Sequence, residues 1–156
     1  MTNVDTAVGD VLPYATAAED AAARGLAVEF IERTPGERPP VIEGVDLVKT
    51  VVVQAKDRFV LVLTPVDAQF SWPKLRAFLG VNRLSLPDAD GAFAATGYVR
   101  GTISPLGAAG SWPVLVDSSL SGRRIAIGSG APGFGALVSA DELVRAYAAE
   151  VLDLAV

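Results

Sequence analysis

Two apolar runs rich in β-branched residues, Leu47 to Ala55 and Arg58 to Thr64, are separated only by Lys56-Asp57. Runs of this length and make-up read as strands. A two-residue connection between them reads as a hairpin, here without the glycine of the strongest turn signals. A hairpin commits both strands to antiparallel pairing, and their apolar density implies burial on both faces over part of their length. The signals around the hairpin interleave short helices and strands without a regular βαβ period. The expected fold is therefore α+β, a mixed, curved sheet flanked by short helices.

Thr16-Ala17-Ala18-Glu19 has the spacing of a capping box, predicting a helix over Ala17 to Arg24 that Gly25 stops. Leu26 to Arg33 reads as a strand, and Thr34 to Pro40, rich in proline, as a flexible surface loop. Ser71-Trp72-Pro73 starts a helix that ends at Leu79-Gly80. Pro87 to Thr96 predicts a third helix closed by Gly97, and Tyr98 to Pro113 an ordered loop. Strands follow at Val114 to Asp117, Arg124 to Ile127 and Phe134 to Val138. Ser139-Ala140-Asp141-Glu142 opens a last helix reaching about Glu150, with Leu143, Val144, Tyr147 and Val151 as its apolar stripe and an apolar tail that docks. Without a linker, repeat or low-complexity tract, the 156 residues are expected to form one domain, 1–156.

The chain contains no cysteine and no histidine. That removes disulfides, thiolate metal sites, cysteine nucleophiles and the commonest general base, leaving carboxylates, lysine, hydroxyls, backbone or substrate to carry chemistry. Thirteen Lys and Arg against 18 Asp and Glu give a net charge of -5, which excludes gripping nucleic acid with the whole surface but permits a local basic patch. The N-terminus lacks a basic segment followed by an apolar run, and no stretch approaches the roughly 20 apolar residues of a membrane span. A soluble, cytoplasmic protein is expected.

Four features stand out as candidates for chemistry. Lys49 is a lone charge within Val48 to Val53; it either reaches solvent at an edge or points a cation into a pocket that takes an anionic or carbonyl-rich ligand. Gly97 to Gly107 is a glycine-rich loop stiffened by Pro105. It serves either as a plain tight connection or as a set of N–H groups facing an anion or oxyanion, and it matches neither a phosphate loop nor a dinucleotide fingerprint. Ser129 lies in the small-residue loop Ile127 to Gly133, where a serine either caps backbone or donates to a ligand. Asp117 ends an apolar strand and either orients a lysine or loop N–H, or forms an Asx turn with Ser118 and Ser119.

Taken in order, Lys49-Thr50 in a valine-rich strand, Thr96-Gly97-Tyr98, Gly101 to Pro105 spaced G-x-x-x-P, the strand Pro113 to Asp117 and Ser129-Gly130 resemble the YbaK/ProX family of aminoacyl-tRNA editing domains. The resemblance runs from about Leu26 to Leu154. It implies a partly barrel-like sheet with a pocket between the lysine strand and the G-x-x-x-P loop, and hydrolysis of the ester of a mischarged tRNA, Cys- or Ala-tRNA(Pro). In this resemblance Lys49 and Gly101 take the catalytic positions. Thr50, Thr102, Ser104, Pro105, Asp117, Ser129 and Gly130 take substrate-binding or supporting ones.

No metal and no cofactor is implied. The implied partners are the tRNA 3' end and prolyl-tRNA synthetase, with no membrane, the protein itself being a monomer or homodimer. Ester hydrolysis suits a chain without histidine or cysteine, because an activated ester needs positioning and an oxyanion contact more than a strong base. An acidic chain that takes tRNA needs either a patch drawn from Lys74, Arg76, Arg100, Arg123 and Arg124 or delivery by a synthetase. A non-catalytic tRNA- or synthetase-binding module of the same fold, and a hydrolase of unrelated esters, are the alternative readings.

Overall fold

The expected hairpin is the centre of the molecule. In the computed structural model, which describes residues 12–34 and 40–156, β2 (Val45–Ala55) and β3 (Arg58–Pro65) pair in register from Val48↔Pro65 to Ala55↔Arg58. Lys56 takes the left-handed conformation at the tip (φ 59°) that a glycine more often supplies. With β1 (Glu29–Glu32), β4 (Val114–Asp117), β5 (Arg124–Gly128), β6 (Phe134–Ser139) and β7 (Glu150–Leu152), it forms a seven-stranded open sheet in the order β1-β6-β5-β2-β3-β4-β7. The β2/β5, β3/β4 and β4/β7 pairs are parallel and the others antiparallel. The sheet is therefore mixed, and it is not closed into a barrel.

Both faces of the central strands are covered. Val48, Val52, Leu61 and Leu63 face the larger core with Leu106, Ile125, Ile127, Val138 and Leu143. Val53, Val60 and Val62 face a smaller one with Leu75 and Leu154. Helices α1 (Ala15–Ala23), α3 (Ala89–Thr96) and α4 (Ala140–Tyr147) contribute to the first and α2 (Trp72–Leu79) to the second. Among the described residues no helix is long and apolar enough to cross a membrane.

Helix α2 starts where expected, with Ser71 Oγ accepting from the Lys74 N–H and Gly80 closing it at φ 68°. Ser139 caps α4 by accepting from the Glu142 N–H. Helix α1 departs from the capping-box expectation: it begins at Ala15, and Tyr14 caps it without a side-chain hydrogen bond. The Tyr14 ring stacks on Phe30 at 4.0 Å and meets Phe134 edge-on at 5.2 Å, so aromatic docking onto β1 and β6 sets the start. Leu26 donates its N–H to Ala21 O as part of the helix stop, which delays β1 to Glu29.

Helix α4 also ends early. Ala148 turns left-handed (φ 50°), and residues expected in the helix become β7, where Val151 pairs with Val116 and is exposed instead of extending the apolar stripe. The tail beyond it docks through a fully buried Leu154. Most of the proline-rich loop and the N-terminal segment lie outside the described residues.

Candidate functional site

A fork in the sheet creates the site. Strand β2 pairs with β5 only from Val45↔Arg124 to Leu47↔Ala126, after which β2 continues along β3 while β5 continues along β6. Peptide groups alternate between the two edges of a strand. Gln54 gives both its N–H and its C=O to Ser85, on the side away from β3. The same alternation turns the N–H and C=O of Thr50 and Val52 into the fork.

A cavity of about 590 Å³ fills the fork, within the usual size range of small-molecule sites. Its walls include Lys49, Thr50 and Val52 of β2, Ile127 and Gly128 of β5, Gly135 of β6, Ile31 and Arg33 at the end of β1, and Arg100, Gly101 and Ile103 of the glycine-rich loop. Leu86, Pro87 and Ala92 close another side. Among the described residues three cations and no carboxylate line it, in a chain of net charge -5. Lys49 therefore stands on the central strand, half-buried, and among the described residues it has no ion-pair partner. The Thr50 hydroxyl is buried and, among the described residues, has no hydrogen-bond partner; the same holds for Thr64, which pairs with Lys49 across the ladder. Orphaned hydroxyls of this kind destabilise by roughly 1–3 kcal/mol each.

The glycine-rich loop is held from beneath. Tyr98, buried, donates its hydroxyl to Leu106 O at 2.6 Å. Burial, with the Asp20 carboxylate nearby adding to it, pushes this phenol up to about 12. The Tyr98 ring leaves no space for a side chain at Gly130, where a Cβ would sit 2.4 Å from it, and its hydroxyl blocks one at Gly107. On the other side Asp20 of α1 accepts from the Gly107 N–H at 2.9 Å, from Arg24 Nε at 3.0 Å and from the Tyr147 hydroxyl. Burial works against the Asp20 charge, but the hydrogen bonds from Tyr147, Gly107 and Arg24 outweigh it and hold the carboxyl below its usual range. Gly128 lets the loop lie directly on β5, because a Cβ there would meet Ile103 O at 2.6 Å.

Of the residues singled out from sequence, Lys49, Thr50 and Gly101 line the cavity together. Thr102, Ser104 and Pro105 are buried inside the loop. The Thr102 hydroxyl donates to Val99 O at 2.7 Å, and Ser104 Oγ accepts from the Leu106 N–H at 3.1 Å. Gly130 donates its N–H to Thr102 O at 2.8 Å, joining the two small-residue loops. Ser129, fully buried, donates to Phe134 O and accepts from the Ala131 N–H. These five surround the site without lining the cavity.

Asp117 does not line it either. Its carboxylate accepts from the Ser119 N–H and hydroxyl, as an Asx turn does, and from the Leu154 N–H at 2.9 Å, which ties down the tail. The basic patch also differs from the set suggested by sequence. Lys74 pairs with Asp153, Arg123 with Asp46 and Arg124 with Glu29, while Arg100 lines the cavity and Arg33, not singled out beforehand, joins it. Asp20 was missed as well, and Tyr98 was read only as part of a motif, without its role beneath the loop; a lone aspartate on a helix 87 residues from its glycine partner leaves no local signal.

The family model described as an aminoacyl-tRNA editing domain matches residues 15–146. A proline–tRNA ligase from Thermosipho africanus (strain TCF52B) is 34% identical over 62 residues, 40% of this chain and 11% of that protein, so the chain spans only a small part of that relative's length. A crystal structure described as a candidate trans-editing enzyme for prolyl tRNA synthetase superposes with a TM-score of 0.82 at 19% identity, covering 95% of this chain and 99% of that one. A hypothetical protein of known structure superposes at 0.78 with 23% identity, covering 90% and 99%. At such identities the two structures show a shared fold.

Proposed function

Because this chain belongs to the aminoacyl-tRNA editing domain family, we propose that it acts in trans as a deacylase, hydrolysing the ester of a mischarged tRNA. Cys- or Ala-tRNA(Pro) is the proposed substrate. The proline–tRNA ligase among its relatives and the trans-editing description of a structural neighbour support the choice of tRNA. The observation that carries the reading is the convergence of Lys49, the Gly101 turn and the open edge of β2 on one cavity lined by cations and, among the described residues, by no carboxylate.

In this reading Lys49 holds the terminal nucleotide by charge. The ester carbonyl lies against the Gly101 turn, so that peptide N–H groups face the oxygen that becomes negative. A water oxygen bonds to the carbonyl carbon, the bond to the ribose oxygen breaks, and that oxygen takes up a proton as the free amino acid leaves. No histidine or cysteine is needed, because the ester is already activated and the site supplies geometry. Ile31, Ile103, Ala126 and Ile127 surround the acyl group with aliphatic walls, which favour small side chains by size.

The test is deacylation of a panel of mischarged tRNAs by the purified protein, with and without prolyl-tRNA synthetase. Lys49→Ala should lower the rate constant by roughly a hundredfold or more with an unchanged melting temperature. A variant as fast as the parent overturns the assignment of Lys49. Tight binding of mischarged tRNA without hydrolysis overturns the deacylase in favour of a binding module.

A further inference from the structure

A second cavity, of about 1230 Å³, lies beside the first at the tip of the β2/β3 hairpin. The two are neighbours along one strand edge. Val52 and Leu86 line the first, Gln54 and Ser85 the second, and the paired backbone hydrogen bonds between Gln54 and Ser85 (2.8 and 3.0 Å) form the partition. Lys56, Arg58 and Arg83 stand around the second cavity, all exposed, with Asp57 as its sole carboxylate among the described residues.

Most of the unpaired cations gather at the two cavities, Arg76 and Arg145 being the two described ones that are unpaired and line neither. Among the described residues, six of 12 cations line the two cavities, against one of 15 carboxylates. Among the described residues none of the six is ion-paired, whereas Arg24, Lys74, Arg123 and Arg124, which line neither cavity, all are. Unpaired cations concentrated on one track of an acidic protein are an electrostatic footprint for a polyanion. The track is long as well as charged, since the six residue steps from Lys49 to Ala55 span about 20 Å at strand rise, more than a single nucleotide occupies. The Phe59 ring and Pro113 provide an apolar floor, the complement to a base that charge alone does not supply. The tip is held in shape, with Gln54 Nε2 donating to Lys56 O at 2.8 Å.

We propose that the second cavity is a subsite for single-stranded RNA, in which Lys56, Arg58 and Arg83 bind the phosphates of the nucleotides preceding the terminal one. The inference rests on the deacylase reading for its orientation, with the 3' end in the first cavity, but its test reads binding alone.

The probe is a fluorescent RNA minihelix with an uncharged single-stranded 3' end, compared with one trimmed to a single overhanging nucleotide, and titrated over a range of salt concentrations. The parent should bind the longer end more tightly. The triple variant Lys56→Ala, Arg58→Ala, Arg83→Ala should lose that gain, and its log-affinity against log-salt slope should fall by about 2, as expected for three lost single-strand phosphate contacts. Arg145→Ala, an exposed cation outside both cavities, should keep the parent's affinity. Parent-like affinity and slope in the triple variant overturn the subsite, as does a parent that ignores overhang length. A protein that hydrolyses no ester yet shows the triple-variant loss refutes the deacylase and leaves the subsite standing; one that deacylates without the loss does the reverse.

Discussion

The two cavities share a strand edge but are built by opposite means. The walls of the first are set from behind: Tyr98 fills the space under Gly107 and Gly130, Asp20 anchors Gly107 from a distant helix, and Gly128 brings the loop onto β5. Its exactness of shape depends on buried groups that touch no ligand. The second is rimmed by exposed side chains on a hairpin tip and a loop. The difference separates two tasks, because discriminating one acyl group from another needs rigid walls, while attracting a polyanion needs only charge that is free of partners.

The largest blow to this contrast should come from Gly130→Ala. Gly130 combines φ 81° with a Cβ position 2.4 Å from the Tyr98 ring, and the strain and overlap should cost about 3 kcal/mol, read as a lower denaturation midpoint; an unchanged midpoint would show that the loop floor is soft. Asp20→Asn comes next, with a loss of roughly 1–2 kcal/mol at neutral pH. The carboxyl is held below the ordinary aspartate range in the fold, so its contribution is present above that range and disappears as the pH falls through the lowered value. The variant should therefore show a flatter acid limb in denaturation measured against pH.

Gly135→Ala sharpens the comparison with the smallest effect. Gly135 lines the first cavity, and a Cβ there would make only ordinary contacts of 3.6 to 3.8 Å with Ile127, Ile31 and Arg33. Stability should hold while the preference for the smaller of two acyl groups in deacylation rises about tenfold. An unchanged ratio would place the acyl group elsewhere. The corresponding change at the second cavity, Arg83→Ala, should leave stability within about 0.5 kcal/mol.

Elements governed by local chemistry were legible in the sequence. The hairpin, the Ser71 and Ser139 caps and the Gly80 and Gly97 stops all occur where side-chain patterns place them. Elements governed by distant contacts were not. The Tyr14 stack on Phe30 decides where α1 begins, and pairing with β4 turns residues near Val151 from helix to strand. The same division holds at the site. Lys49 is visible because a charge interrupts valines, but Arg33 lies at a strand end like many arginines, and only tertiary structure shows that it joins Lys49 while Arg123 and Arg124 are neutralised.

The fork has one further consequence. Amides in the middle of a central strand ordinarily exchange with solvent deuterium very slowly, but those of Thr50 and Val52 face an opening where, among the described residues, no neighbouring strand covers them. They should exchange faster than the intervening Val51 amide, which faces β3, and slow down when the cavity fills. Two adjacent rungs of the backbone thus form a built-in occupancy gauge, readable by spectroscopy without labelling any side chain.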